Sequence, residues 1–119
     1  MMKYLWLGLI FSMAAFRVMA FPAQGGCKLA QQHQITGKVG RAIHNAAQAH
    51  VVVRANMLEA SLSNAVQAGV LSYQQGHKQW LEVHSVRQQA LAYKQGITSH
   101  ELKQFDHKLD RVTLYLCRH

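Results

Sequence analysis

The sequence predicts an all-α fold: a small bundle of three main helices plus a short N-terminal helix, closed by one disulfide. The first observation behind this is a repeated turn signal, Gly69-Val70-Leu71-Ser72-Tyr73-Gln74-Gln75 and Gly96-Ile97-Thr98-Ser99-His100-Glu101. In each, Gly ends one helix in the left-handed C′ conformation. A Ser or Thr followed three residues later by Gln or Glu then opens the next through a capping box, so Gly69, Ser72, Gln75, Gly96, Thr98 and Glu101 are cap residues. The second is that apolar residues recur at steps of three and four, while no segment alternates with period two between turn signals. The third is the cysteine count: Cys27 and Cys117 are the only two, and an even number in an exported chain implies a disulfide.

Residues 1–20 read as a secretory signal. Lys3 supplies the charge, Leu5 to Phe16 the apolar run, and Val18-Met19-Ala20 a small-x-small cleavage site. Cleavage there leaves a chain beginning Phe21-Pro22 in the periplasm or outside the cell. A membrane anchor is the alternative, against which the run is shorter than the ~20 residues of a span and is interrupted by Arg17. Gly25-Gly26-Cys27 resembles the end of a lipid-attachment site, but Gln24 stands where that site expects an aliphatic residue.

Residues 21–40 hold the only Pro and four Gly. They read as a tether with at most one short helix, Lys28 to Gln34, ended by Thr36-Gly37. The helical domain is expected over 41–119. Val39, Ile43, Ala46, His50, Val53 and Met57 fall at alternating steps of four and three, and Leu58, Leu62 and Val66 continue the stripe to Gly69. The run Val51-Val52-Val53 lowers helix propensity, so a bend or break is expected there. The next helix runs from Tyr73 to about Lys94 with a thin apolar side of Gly76, Trp80, Val83, Val86, Ala90 and Tyr93. The last, Ser99 to about Cys117, carries the cleanest stripe: Leu102, Phe105, Leu109, Val112 and Leu116.

If the three helices run up, down and up, Cys117 finishes at the end opposite the start of the first. About thirteen residues lead from Cys27 to Gly40 and reach ~40 Å when extended, enough to pass a helix of ~30 Å. An intramolecular bridge therefore predicts that the tether, or a short helix within it, packs back along the bundle, and would stabilise the fold by about 4 to 5 kcal/mol. An intermolecular bridge is the alternative.

Of 13 Lys and Arg, Lys3 and Arg17 lie in the signal, leaving 11 against 5 acids and a net charge of +6. Anionic partners are favoured: lipopolysaccharide, acidic envelope polymer, membrane headgroups or unfolded client proteins of negative charge. Nucleic acid is not expected of an exported chain. Eight histidines, at 33, 44, 50, 77, 84, 100, 107 and 119, are many for this length. The pairs 77/84 and 100/107 are seven apart, about 10 Å along a helix and too far to share one ion. Across the helical hairpin His77 approaches His119, which makes these two the candidate metal pair. As a group, imidazoles charge between about pH 7 and pH 5, which suggests acid-dependent binding or opening. His50, on the apolar stripe, is the expected core histidine whose protonation destabilises the fold, and His44, His77, His84, His100 and His107 are expected to be wet. Asp106 and Asp110 read as a solvated face. With no carboxylate pair, no phosphate loop after a strand and no nucleophile elbow, neither an enzyme nor a cofactor is expected.

Leu62 to Ser72, Gly96 to Glu101 and Asp106-His107-Lys108-Leu109-Asp110-Arg111 together resemble a group of small exported bacterial helical proteins. That group carries tandem units of Gly-x-(Leu/Val/Ile)-(Ser/Thr)-x-x-(Glu/Gln), often with a helix ending in Leu-Asp-Arg, and is functionally uncharacterised. The resemblance spans about residues 62–119 and implies a helical hairpin in the envelope with no inherited active site. The second unit here is one residue short. Leu71-Ser72-Tyr73-Gln74-Gln75 is also similar to the LTxxQ motif of periplasmic stress proteins, which are helical chaperones and metal sensors. The expected role is therefore non-catalytic: stress-related binding, or a chaperone-like activity, on a basic helical surface rich in Gln and His. The alternative is metal-ion binding or sensing by the histidines. A chaperone-like role needs exposed apolar surface, and Trp80 or Leu81, Leu91 and Tyr115 cannot all face one small core.

Overall fold

The structure, a computed structural model, describes residues 27–119; the signal expected over 1–20 and the first part of the tether lie outside the described residues. Among the described residues α1 (Leu29–Gln32), α2 (Ala46–Gln67), α3 (Tyr73–Leu91) and α4 (Ser99–Cys117) follow one another, with no strand. None of these helices is long and apolar enough to cross a membrane.

Both expected capping boxes form. Ser72 Oγ accepts from the Gln75 amide at 3.1 Å while the Ser72 amide donates to Gln75 Oε1 at 2.9 Å. Thr98 and Glu101 make the same exchange at 3.2 and 2.8 Å. A third signal of this spacing opens α2: Asn45 Oδ1 accepts from the Gln48 amide at 2.8 Å, and Gln48 Oε1 accepts from the His44 amide at 2.6 Å. That cap starts α2 at Ala46 rather than Arg41, and Val39 and Ile43 precede the helix. Asn45 Nδ2 also donates to Ile97 O, and Gln48 Nε2 to Ala90 O and Tyr93 O. The start of α2 is thus tied to the α3–α4 turn.

Gly69 ends α2 as expected, with φ of 75°. Its amide donates to Val66 O and that of Val70 to Ala65 O, the paired bonds of a Schellman motif. Gly96 also has positive φ, 87°, but it does not cap α3. That helix stops at Leu91, before the expected Lys94, and Gly96 closes a separate turn by donating to Tyr93 O at 3.1 Å.

Two further expectations fail on α2. No break occurs at Val51-Val52-Val53, because Val51 and Val52 are buried and their tertiary packing outweighs a small propensity loss. The first half of the buried stripe is also phased differently, with Val51 and Ala55 facing the core and Met57 48% exposed, whereas Leu58 and Leu62 are buried as expected and Ala65 joins them. They pack with Val83, Val86 and Ala90 of α3 and with Phe105, Leu109, Val112 and Leu116 of α4. Leu71 and Ile97, each just before a capping box, close the core at the two turns.

Cys27 and Cys117 form an intramolecular disulfide, with Cα atoms 5.8 Å apart and a sequence separation of 90. From there residues 28–44 return along the bundle as a strap. His33 meets Asp110, Ile35 meets His50, and Gly37 lies so close to α2 that a Cβ would sit 2.8 Å from Ala49 O. The sequence expectation that the tether packs back along the helices holds, with its helix shortened to α1.

Candidate functional site

The seam between α2 and α4 holds a buried ionic network. Arg54 has 0% exposure in the middle of α2. Its Nη1 donates to Asp106 Oδ1 at 2.9 Å and Asp106 O at 3.3 Å, and its Nη2 to Asp110 Oδ1 at 2.6 Å and Thr113 Oγ1 at 3.1 Å. All four terminal N–H groups of the guanidinium are therefore engaged, and Nε alone has no hydrogen-bond partner. Thr113 completes the chain by donating to Leu109 O at 2.9 Å. Asp106, Asp110 and Thr113 stand at steps of four and three, one helical position round from the apolar stripe of α4.

His50, one turn before Arg54, bridges this network to the strap. Its Nδ1 lies 2.6 Å from Ile35 O and its Nε2 2.7 Å from Asp106 Oδ1. A carbonyl and a carboxylate can only accept, so both ring nitrogens carry protons and the residue is an imidazolium. The bond to Asp106 raises the His50 pKa above 6.5, against the opposing effect of burial and with help from the Ile35 carbonyl. Burial pushes the Asp106 carboxyl up, but the hydrogen bonds and charges of His50 and Arg54 together outweigh it and hold it below 3.8. His33 Nε2 adds a contact from the strap to Asp110 at 2.9 Å. These contacts correct two readings: protonation of His50 supports the fold rather than opposing it, and Asp106 and Asp110 are partners of a buried cation rather than a solvated face.

The other acids are engaged as well. Glu59 Oε1 lies 3.1 Å from Arg87 Nη2, an ion pair outside hydrogen-bond geometry, and Glu82 pairs with Arg111 at 3.3 Å. Glu101 caps α4, and its bond from the Thr98 amide helps hold its pKa below 4.5. All five acids are thus committed within the molecule. Among the described residues Lys28, Lys38, Arg41, Lys78, Lys94, Lys103, Lys108 and Arg118 have no acid within ion-pair distance. The outward field is correspondingly positive.

Two depressions mark this surface. An open groove of about 390 Å³ between the end of α2 and the start of α3 is lined by Leu62, Val66, Tyr73, Gly76, His77 and Trp80, among others. Tyr73, His77, Trp80 and His84 stack in sequence along α3, with ring centroids 5.5, 6.4 and 4.6 Å apart. Tyr73 is 71% exposed, and Leu81 is exposed nearby in sequence. The second depression, between α3 and α4, is basic and is lined by Lys78, Arg111 and Arg118 among others.

His77 lies in the ring stack, while His119 rests on the Tyr115 ring and its Nδ1 donates to Tyr115 O at 2.7 Å. His84 Nδ1 accepts from Arg87 Nη2 at 2.9 Å. Among the described residues no three His, Cys, Asp or Glu side chains are grouped to hold a metal ion, and the disulfide occupies both cysteines. As expected, His44, His77, His100 and His107 are exposed, whereas His84 is half-buried. Comparison with protein-family models, with curated proteins and with solved structures finds no match.

Proposed function

We propose that this chain is a non-catalytic exported protein of the bacterial envelope that binds anionic partners, envelope components or unfolded clients, through its basic helical surface. One observation carries the reading: all five acids are engaged by ion pairs or caps within the molecule, and eight Lys and Arg remain without an acid partner among the described residues. With every acid paired or capping a helix, the net charge of +6 is presented by Lys and Arg side chains that have no acid beside them, and these attract anions. The exposed groove with Tyr73, His77 and Trp80 adds the apolar surface that a chaperone-like role requires. The disulfide is compatible with an oxidising compartment. The similarity of Leu71-Ser72-Tyr73-Gln74-Gln75 to the motif of periplasmic stress proteins supports a stress-related setting.

The test uses the oxidised protein from residue 21 onward, with a soluble acidic polymer and with a denatured acidic client diluted out of denaturant. Binding and suppression of aggregation that weaken as salt rises and survive a chelator are the expected result. No binding to either at low salt overturns the proposal. Stoichiometric zinc, copper or nickel binding that is lost in His77→Ala and His119→Ala variants would turn the reading to metal handling.

A further inference from the structure

We propose that the cleft between the N-terminal half of α3 and the C-terminal half of α4 binds the phosphate of an anionic phospholipid headgroup. The inference rests on the anionic-partner reading above and names a site for it. Lys78 from one helix and Arg111 and Arg118 from the other converge on a cleft of about 470 Å³. Its one acid, Glu82, is already held by Arg111, so three cations against one carboxylate leave the lining at +2. Guanidinium groups present paired N–H donors that match phosphate oxygens, and Lys78 supplies a point charge from the opposite wall.

Two features favour a lipid headgroup over a dissolved ion. Arg111, Leu114 and Arg118 follow at steps of three and four on α4, so a leucine that is 39% exposed stands between two guanidinium groups. Tyr115, which packs partly on the core, also lines the cleft. Cations flanking an exposed leucine suit the boundary between headgroups and acyl chains, where a dissolved phosphate would need the donors alone. The site is also anchored: Arg118 follows Cys117, whose disulfide fixes the end of α4, so less backbone freedom is lost on binding.

Sedimentation of the oxidised protein with phosphatidylglycerol–phosphatidylcholine vesicles tests the site. A Lys or Arg near an anionic surface is worth about fivefold in affinity. Lys78→Gln combined with Arg118→Gln should weaken vesicle binding about 25-fold by that measure. Lys94→Gln combined with Lys103→Gln, the same charge change at the other end of these helices, should cost less than about threefold. All four side chains are exposed; if the first pair nevertheless fails to fold, Arg118→Gln alone should show about a fivefold loss. Equal losses from both pairs overturn the cleft and leave the anionic-partner reading standing. A wild type that binds an acidic polymer but no vesicle overturns only the lipid assignment, as does displacement from vesicles by millimolar inorganic phosphate. Binding to neither polymer nor vesicle overturns both.

Discussion

Raising the pH from about 6 to about 9 with the disulfide intact removes the proton that lets His50 bridge Ile35 and Asp106. In the unfolded chain that proton leaves around pH 6.5; in the native state it is held to a higher pH. Below about 6.5 both states carry it and the stabilisation is complete. As pH rises through the interval between the two values, only the native state binds the proton, so stability falls by up to ~1.4 kcal/mol per pH unit and levels off above the native value. For Asp106 the sign is opposite. Its contribution is present above 3.8 and is lost as pH falls through its lower native value. The pair therefore supports the fold most between about 4 and 6.5, the values of the two groups in the unfolded chain. Urea unfolding followed by far-UV circular dichroism, at half-unit steps of pH, reads this directly. With a slope of roughly 1 to 1.5 kcal/mol/M, the midpoint should drop by about 1 M per pH unit inside the window. His50→Gln cannot titrate and leaves one acceptor short of a donor. It should lose about 1 to 3 kcal/mol near pH 6 and flatten the dependence that the wild type shows. A wild-type midpoint that stays level or rises from about pH 6.5 to 8.5, or the same slope in both proteins, would refute the imidazolium.

Arg54→Lys should destabilise by about 3 kcal/mol or more, because one ammonium replaces four fixed N–H groups and leaves buried carboxylates poorly paired; a loss under about 1 kcal/mol in the same urea assay would contradict it. Reducing the Cys27–Cys117 bond should remove about 4 to 5 kcal/mol, and limited proteolysis should then cut within residues 28–44 before any long helix. First cleavage inside α2 or α3 would mean that the strap is held without the disulfide. Asn45→Ala removes both the cap of α2 and the bond to Ile97 O. It should cost about 1 to 2 kcal/mol, seen as a lower melting temperature, and a change under about 0.5 kcal/mol would count against the cap.

What the sequence made legible was local. Ser72 with Gln75 and Thr98 with Glu101 are recognisable because a cap needs only residues three apart, and both boxes form where they were read. Asn45 with Gln48 has the same spacing, but Val39 and Ile43 extended the apolar stripe through it. A cap outweighs such a stripe, because periodic residues ahead of it face the core only if the backbone is already helical. Gly96 was legible as a left-handed glycine but not as a turn separate from α3, since where a helix frays depends on what its last turn packs against. Arg54 was invisible. An arginine in mid-helix is ordinarily solvated, and only the docking of α4 brings Asp106, Asp110 and Thr113 to it. The available signal was complementary spacing: His50 and Arg54 four apart on one helix, and Asp106 and Asp110 four apart on another.

The same network links the fold to the surface. Asp106 and Asp110 are two of only five acids, and the network sets their two negative charges against two buried cations, Arg54 and the His50 imidazolium, with His33 at its edge. Replacing the whole network with apolar side chains of similar volume would preserve the packing and often costs little stability. What such a core would lose is the proton dependence that His50 and Asp106 confer. Acidification charges imidazoles generally, while the His50–Asp106 bridge is at full strength from about 4 to 6.5, the unfolded-chain values of its two groups. Mild acid should therefore raise the positive field of an intact bundle rather than open it. Binding to anionic vesicles should strengthen from about pH 7.5 to 5.5 with no change in the far-UV spectrum, and a loss of helix signal across that range would show that acid acts by opening the fold.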